Sequence, residues 1–438
     1  MSFANLESLL RCFKNAGVRS VFAKLLAEND NSKQQIYLGN SFEVLGQLPF
    51  TAIKEESGGR RHNFKAAINL QWLDSSGNLE RASGAQLILY PDYPEVRLSG
   101  FLRGCSLAPS SDMQPVPPGK RQHFNGSDGR VLFFGVSDSG IVIAWLAVAS
   151  SSIAHEFTSQ QRMGKYHQSG VFWQVPISAG HSNRDALIAE IRKIHRAGWH
   201  EGKRLNSAGE LIAYAAKNGG GYTLEALLGV KPNSLSSPDF LGYEIKAYSK
   251  NRVTLMTPEP DIGIYREMGT EAFLRRYGRV VKDDTLYFTG SHKVNVLCST
   301  SKQTLKIDGY DPKSGKINDV GGGVMLYDAQ GNLSAGWSFS GLISHWGRKH
   351  ASAAYIPYDN NGLVPPSYAY KNPIYIGEGT AFEFYLKALH DGKVIYDPGT
   401  KLSDVTTKNS RVKARNQFRV AFKDIVGLYR TFDSVALA

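Results

Sequence analysis

The sequence has few cysteines and no long apolar run, and each shortage argues against a class of protein. Its three cysteines, Cys12, Cys105 and Cys298, are far apart and odd in number, which disfavours a disulfide framework or a cysteine-based zinc site. The longest apolar run, from Ile141 to Ala149, is too short to span a bilayer as a helix. The first residues lack the basic start and apolar core of a signal peptide. Together these features predict a protein of the reducing cytoplasm.

Three catalytic signatures are also missing from the sequence. It contains neither the GxSxG of serine hydrolases nor the HExxH of zinc peptidases. The glycine run 219–221 precedes a predicted helix, but the GxxxxGK[ST] pattern of nucleotide-binding loops is absent. These absences disfavour serine hydrolases, zinc peptidases and P-loop nucleotide hydrolases.

The charge of the chain is positive and unevenly distributed. The formal net charge is +12, from 51 Lys and Arg against 39 Asp and Glu. Residues 1–150 contribute 15 against 13, or +2, so the remaining residues contribute 36 against 26, or +10. A basic excess in one part of a chain favours a polyanionic partner, nucleic acid first. The alternative is a soluble protein that is basic without such a partner.

Hydrophobic patterning divides the chain into two domains. Residues 1–155 contain a predicted helix at 5–16 and then alternating segments with turn residues between them, which indicates a mostly β domain. We expect a linker at 156–182 and a second domain at 183–438. The second domain begins with a predicted helix that ends near Gly198. A helix near 207–217, a short helix through Leu224 and several strands are expected to follow.

One short segment of the second domain combines acidic and basic residues in a suggestive pattern. Residues 243–248 alternate like a strand, so Glu244 and Lys246 would share one face and Ile245 would be buried on the other. Gly242 permits a turn immediately before the strand, and Asp239 could fold back toward Glu244. Two carboxylates and one ammonium group would then converge at one end of a strand.

This trio suits the hydrolysis of a phosphodiester. Magnesium binds through few protein carboxylates and keeps several waters, so Asp239 and Glu244 suffice to hold it. The cation would activate a water, and Lys246 would orient that water or offset charge that develops on the phosphate. Glu225, on the short helix before the strand, is a candidate for a further carboxylate. The alternatives are a solvated strand face and, for Glu225, an ordinary helix surface residue.

Several ordered segments of the second domain resemble the MvaI/BcnI restriction endonucleases, which belong to the PD-(D/E)XK nuclease superfamily. The resemblance covers residues 183–400. The segments that carry it are Gly198–Arg204, Gly221–Glu225, Pro238–Lys246, Leu274–Arg279, Gly336–Phe339 and Gly379–Phe382. It implies an α/β nuclease domain with a central mixed sheet flanked by helices.

The resemblance also implies an activity and its partners. Asp239, Glu244 and Lys246 match the catalytic positions of the family, and Glu225 matches an acid on the preceding helix. We therefore expect a monomeric, magnesium-dependent type II restriction enzyme that cuts a short C/G-rich site in duplex DNA. A restriction enzyme further implies a cognate DNA methyltransferase in the host.

A set of charged residues is predicted to contact DNA. Lys203, Arg204, Arg275, Arg276 and Arg279 lie in basic clusters, His345 lies beside Trp346, and Glu378 and Glu383 flank the Gly379–Phe382 segment. For the basic clusters the alternative is a solvated face, and for His200, beside Trp199, a hydrogen-bonded structural role is favoured. The family carries base-reading histidines before Gly379, whereas this chain has Ile376-Gly377-Glu378. The target sequence therefore does not carry over, although a glutamate could accept from cytosine N4.

The N-terminal domain resembles the effector domain of EcoRII along two segments, 22–30 and 35–38. This resemblance implies a β-pseudobarrel that binds a second copy of the DNA target. The alternative is an unrelated β domain for contacts or targeting. Two other functions also stay open for the whole chain: a nuclease of modified or damaged DNA, and a DNA-binding regulator that does not cut.

Overall fold

The computed structural model describes residues 3–56, 62–93, 95–120, 127–177, 183–216, 218–230, 239–282 and 284–437. Pro238, the first residue of the predicted catalytic motif, lies outside these ranges. The described residues of Met1–Glu56 and Asn63–Ala186 form one compact unit, and those of Leu187–Ala438 form another. Within the described ranges, no helix combines the length and the apolar character that crossing a membrane requires.

Helices occur in both units. The α-helices are α1 Leu6–Asn15, α2 Ser152–Arg162, α3 Asn183–Arg196, α4 Gly219–Leu227, α5 Ile264–Tyr277, α6 Phe339–Lys349 and α7 Phe382–His390. The 3-10 helices are Phe42–Gly46, Pro118–Lys120 and Phe422–Leu428.

The first unit is built mainly from strands in two sheets. Its strands are β1 Val18–Leu25, β2 Gln35–Tyr37, β3 Ile53–Glu56, β4 Asn63–Ala67, β5 Asn69–Leu73, β6 Leu79–Arg81, β7 Gln86–Tyr90, β8 Glu95–Ser99, β9 Val131–Ser137, β10 Ile141–Ala147, β11 His167–Ser169 and β12 Phe172–Val175. One sheet has the order β11-β12-β1-β9-β10-β5-β6, in which only β10 and β5 run parallel, and the other has the order β2-β8-β7-β4-β3.

Two amphipathic helices cover the seven-stranded sheet. Leu6, Leu9 and Phe13 recur at helical spacing in α1 and are buried in the same core as Phe157 of α2 and Phe133 of β9. A capping box at the N-terminus of α1 satisfies its first backbone N–H groups. The hydrophobic stripe of α1 therefore determines which helix face is buried, as its sequence pattern predicts.

Part of the predicted linker at 156–182 is folded into the first unit. Residues 156–162 complete α2. Strand β12 pairs with β1, and β11 pairs with the other side of β12 at the edge of the sheet. Phe157 and Val175 are buried in the core of that sheet. The apolar side chains of this segment therefore hold it in the unit, and the linker prediction does not describe residues 156–175.

The N-terminal segment that resembles EcoRII contains a buried ion pair. Lys24 Nζ lies 2.7 Å from Asp30 Oδ2, and the side chains are only 6% and 4% exposed. Asp30 Oδ2 also accepts from the backbone N–H of Ala27 at 2.9 Å. This pair fixes the turn after β1, so Lys24 is a structural residue, and the effector role of the unit stays a prediction.

The second unit contains the remaining strands. They are β13 Trp199–Glu201, β14 Lys203–Leu205, β15 Leu211–Ala213, β16 Glu244–Tyr248, β17 Arg252–Met256, β18 Arg279–Lys282, β19 Thr285–Thr289, β20 Thr304–Asp308, β21 Tyr310–Asp311, β22 Lys316–Ile317, β23 Gly323–Tyr327, β24 Leu333–Ser338, β25 Ser352–Asn360, β26 Ser367–Tyr370, β27 Ile374–Glu378, β28 Val394–Tyr396, β29 Gly399–Ser403, β30 Arg411–Lys413, β31 Phe418–Ala421 and β32 Thr431–Val435.

A mixed six-stranded sheet forms the centre of this unit. Its order is β13-β26-β25-β27-β32, and β16 joins it by pairing parallel to β25. Helices α3 and α4 bury Leu187, Ile191 and Leu224 in one core with Ile245 of β16 and Ile356 of β25. The prediction of a mixed α/β fold is confirmed, and the core on this side holds β16 in register.

The expected helix near 207–217 is wrong. Strands β14 and β15 pair as an antiparallel hairpin instead. The turn between them contains Gly209 at φ 88°, and the side chain of Asn206 accepts from the backbone N–H of Glu210 at 2.9 Å. An asparagine and a glycine at these positions favour a turn over a continuing helix.

Candidate active site

Asp239 precedes a tight turn that leads into β16. The two central residues, Leu241 and Gly242, have φ angles of 51° and 87°. Phe240 and Tyr243 exchange backbone hydrogen bonds of 3.0 and 2.8 Å across the turn. Positive φ at both central positions is the geometry of a type I′ hairpin turn, which reverses the chain within two residues. The turn therefore folds Asp239 back beside the start of the strand.

A hydrogen bond from the backbone of β16 holds the side chain of Asp239. The N–H of Ile245 donates to Asp239 Oδ2 at 2.9 Å. Ile245 is only 5% exposed and packs in the core that contains Leu224 of α4. Because strand side chains alternate, Glu244 and Lys246 point to the opposite face. Burial of Ile245 in the core therefore orients Glu244 and Lys246 toward the other face of the sheet.

Glu244 and Lys246 form a largely buried ion pair. Lys246 Nζ lies 2.6 Å from Glu244 Oε1, with the side chains 20% and 3% exposed. Burial lowers the pKa of Lys246, but the negative charges of Glu244, Asp239 and Glu225 outweigh it and raise the pKa above the ordinary value. The structure therefore brings together all four residues that the sequence predicts as catalytic.

The charges of this cluster favour a divalent cation. Three carboxylates against one ammonium group leave an excess of two negative charges. Asp239 and Glu244 offer the hard oxygen atoms that magnesium prefers, and magnesium needs only one or two protein carboxylates. In the described part of the chain, no group of three or more His, Cys, Asp or Glu side chains is arranged as a metal cage. Asp239 and Glu244 are the residues of this cluster that could hold such a cation.

Two buried tyrosines lie behind the ion pair. Tyr355 of β25 is the register partner of Lys246, so its side chain shares the face of Glu244. Its hydroxyl lies 2.8 Å from the hydroxyl of Tyr429. Burial raises the pKa of both tyrosines, and the charge of Glu244 raises each further. Local sequence spacing gives no signal for these residues, because strand pairing alone brings them to the site.

Glu378 lies inside the protein beside the turn at Leu241 and Gly242. Tyr243, which directly precedes Glu244, donates to Glu378 Oε1 at 2.5 Å. Glu378 ends β27 and is only 8% exposed. In this conformation its carboxylate holds the turn, and base reading by Glu378 stays a prediction.

The predicted DNA contacts Lys203 and Arg204 lie on β14, which packs on α4. The backbone N–H and C=O of Lys203 both bond the hydroxyl of Thr223 in α4, at 3.1 and 3.2 Å. The guanidinium of Arg204 lies over the ring of Tyr214, 5.1 Å from its centroid. The hairpin is thus tied to the helix that carries Glu225.

The arginines at the end of α5 have different surroundings. Arg275 bonds Glu271 of the same helix at 2.8 Å. Arg276 lies 3.8 Å from Asp328 and over the ring of Tyr277. Arg279 begins β18, and its guanidinium donates to Thr289 Oγ1 at 3.1 Å. The three arginines therefore differ in their partners. Arg275 and Arg276 lie near carboxylates, whereas Arg279 donates to a neutral hydroxyl.

The remaining predicted contacts lie on two helices. His345 is exposed on α6. Glu383 lies in the first turn of α7. Burial raises the pKa of Tyr310, and the negative charges of Asp391 and Glu383 raise it further. The structural role favoured for His200 is confirmed, because its Nε2 bonds the carbonyl oxygen of Ile194 at 2.8 Å.

Comparison with known proteins gives the family of the chain. Residues 188–429 match the MvaI/BcnI restriction endonuclease family. The structure of the restriction endonuclease MvaI in complex with cognate DNA aligns with a TM-score of 0.45 and 20% identity over 59% of this chain and 99% of that one. MvaI in the absence of DNA aligns with a TM-score of 0.32 and 18% identity over 59% and 100%. Curated proteins gave no match. The family match spans more than half of the sequence and confirms the resemblance, so the chain belongs to the MvaI/BcnI restriction endonuclease family.

Proposed function

We propose that this protein is a sequence-specific endonuclease of duplex DNA that hydrolyses phosphodiester bonds with magnesium held by Asp239 and Glu244. The observation that carries the proposal is the turn at Leu241 and Gly242, which folds Asp239 onto the backbone of β16 next to Glu244 and Lys246. Membership in a restriction endonuclease family supports a nuclease. The geometry of the turn and of the ion pair supports Asp239, Glu244 and Lys246 as the residues that act.

Each residue of the cluster has a distinct task in this proposal. When bound, the cation would polarise the phosphate and lower the pKa of an attacking water. The carboxylates of Glu244, Asp239 and Glu225 raise the pKa of Lys246 and favour its charged form. In this proposal the Lys246 ammonium group donates a hydrogen bond that orients the water or offsets charge that develops on the phosphate. Glu225 adds negative charge that favours the cation.

A digest separates this proposal from the alternatives. Plasmid DNA is incubated with the protein and magnesium, with Asp239→Asn and Glu244→Gln variants as controls. Discrete fragments from the wild type, absent with both variants, are expected. Cleavage of modified DNA alone would favour the modification-dependent nuclease, and binding without cleavage by the wild type would favour the regulator. Sequencing the fragment ends then gives the recognition sequence.

Finer features of the family are also proposed for this chain. We expect a monomer in the cytoplasm that cuts DNA one strand at a time, and a host methyltransferase that protects the same site. The first unit is proposed to bind a second DNA copy. Plasmids with one and two target sites test this role, because faster cleavage of the two-site plasmid is expected only if a second copy binds.

A further inference from the structure

One face of a small sheet in the second unit is covered by a helix. The sheet has the order β18-β19-β29-β30. Phe288 of β19 packs on Phe273 of α5 with ring centroids 4.8 Å apart, and its register partner Thr400 is fully buried. Leu402 of β29 is buried as well. Because side chains alternate along a strand, Tyr287 and Lys401 must point away from α5.

The opposite face carries a row of cations and one aromatic ring. Arg279 pairs in register with Tyr287, Tyr287 with Lys401, and Lys401 with Lys413. Directly paired residues project from the same face of a sheet. Arg279 and Lys413 are exposed, and Tyr287 and Lys401 are half-buried. We call these four residues the basic row.

The surroundings of the basic row add positive charge and hydroxyl groups. A Cβ atom at Gly399 would meet the Cδ atom of Arg415 at 3.3 Å, so the Arg415 side chain lies over the same face of β29. Thr289, bonded by Arg279, and Ser403 have side chains on this face. The four strands contain five Lys and Arg residues and no Asp or Glu. Arg411, the other cation of β30, is held by Asp404 at 2.8 Å.

We propose that the basic row binds the phosphate backbone of duplex DNA. Protein contacts to phosphates come mainly from Arg and Lys and from the hydroxyls of Ser, Thr and Tyr, which are the groups on this face. With about 4.8 Å between strands, the row spans about 14 Å, along which one strand of B-DNA presents about four phosphates. The inference rests on the proposed function, since it assumes that duplex DNA is the partner, and it adds Tyr287, Lys401 and Lys413 to the DNA-binding residues.

The salt dependence of DNA binding tests the basic row. Binding of a fluorescent duplex is measured by anisotropy from 50 to 300 mM salt without divalent metal, so that no cleavage occurs. Loss of two phosphate contacts in Lys401→Gln/Lys413→Gln should reduce the slope of log K against log salt by about 1.8. Affinity should fall equally on target and non-target duplexes, because phosphate contacts carry no sequence information. The charge-preserving pair Lys401→Arg/Lys413→Arg should keep the wild-type slope.

A matched control removes the same charge elsewhere. Lys193→Gln/Lys387→Gln neutralises two exposed lysines on α3 and α7, and its slope should equal that of the wild type. An equal reduction of the salt slope in this control would mean that only the net charge of the protein matters, and it would overturn the inference. An unchanged slope in the Lys401/Lys413 variant would overturn it as well. If the Lys401/Lys413 variant lost affinity for single-stranded RNA and kept its affinity for the DNA duplex, the surface would be assigned to RNA and the inference would be overturned. Failure of the wild type to bind any duplex would refute the proposed function itself.

Discussion

Lys246 Nζ lies 2.6 Å from Glu244 Oε1, and this contact supplies a positive charge to a carboxylate that is almost fully buried. The lysine therefore has two effects that can be separated by experiment. Its ion pair stabilises the site before substrate binds, and in the proposed mechanism it would place a positive charge next to the phosphate.

The Lys246→Ala variant should lose cleavage and keep DNA binding. Removal of one preorganised charge from a site of this kind reduces the rate by at least about 100-fold. Single-turnover cleavage of a plasmid measures the rate, and duplex anisotropy measures binding. Lys193→Ala is the matched control, because Lys193 also lies 2.6 Å from a glutamate but is 70% exposed. Wild-type cleavage by Lys246→Ala would refute the role assigned to Lys246.

The stability of the first unit should depend on pH through Glu80. Hydrogen bonds from the hydroxyl and backbone N–H of Ser106 and the N–H of Leu107 lower the pKa of Glu80 to about 2. A carboxyl with a depressed pKa in the folded state stabilises the protein above its unfolded pKa and loses that contribution as the pH falls through the folded value. The wild type should therefore be more stable than Glu80→Gln by a maximal amount above pH 4.5, and this difference in unfolding free energy should disappear as the pH falls to about 2.

Denaturant unfolding at a series of pH values measures this difference. Glu7→Gln, on an exposed part of α1, serves as the control. A Glu80→Gln difference that stays constant from pH 6 to pH 2 would contradict the prediction.

The turn before β16 should be sensitive to its glycine. Gly242 has a φ of 87°, and no atom lies within 4 Å of a Cβ built there. The cost of Gly242→Ala is therefore a backbone cost, about 1–2 kcal/mol of unfolding free energy, and Asp239 should be displaced from β16. A higher magnesium concentration for half-maximal cleavage would report that displacement.

Gly221→Ala is the matched control for the turn. Gly221 also has open space around its Cβ position, but it lies in α4 with ordinary helical φ. Alanine there should stabilise the protein by about 0.5–1 kcal/mol. Equal effects of the two substitutions, followed by thermal unfolding and by magnesium titration, would show that the turn conformation does not matter.

The proximity of Asp239, Glu244 and Lys246 was predictable because their geometry is local. Alternation in one strand and a glycine before it suffice to place Asp239 near Glu244 and Lys246. The hairpin of β14 and β15 was missed because the predicted helix neglected the turn at Asn206 and Gly209. Partners from distant strands have no local signal at all, since pairing of β25 with β16 alone determines them.

Segment ends were also harder to predict than segment types. The linker prediction failed over 156–175 because burial of Phe157 and Val175 depends on a sheet that is formed by far earlier strands. Glu378 was predicted to face DNA from its place in the sequence. Its hydrogen bond with Tyr243 depends on where β27 ends beside the turn at Leu241 and Gly242, and base reading by Glu378 stays a prediction.

The final prediction concerns the tyrosine pair behind Glu244. Tyr355→Phe removes a hydroxyl that lies 2.8 Å from the Tyr429 hydroxyl and leaves the latter buried without this partner. Each single substitution, Tyr355→Phe or Tyr429→Phe, should cost about 1 kcal/mol of unfolding free energy. The double variant should cost less than the sum, because residues in one hydrogen-bonded pair couple by about 0.5 kcal/mol or more.

Magnesium dependence distinguishes a role at the site from a purely structural one. A role of the hydroxyls in positioning Glu244 predicts that their loss raises the magnesium concentration for half-maximal cleavage and leaves DNA affinity without metal unchanged. Tyr385→Phe is the control, because the buried Tyr385 hydroxyl has no hydrogen-bond partner among the described residues and its loss should leave both stability and magnesium dependence near the wild-type values. Additive stability losses in the double variant, together with an unchanged magnesium midpoint, would limit the pair to packing, since a positioning role for Glu244 requires the midpoint to move.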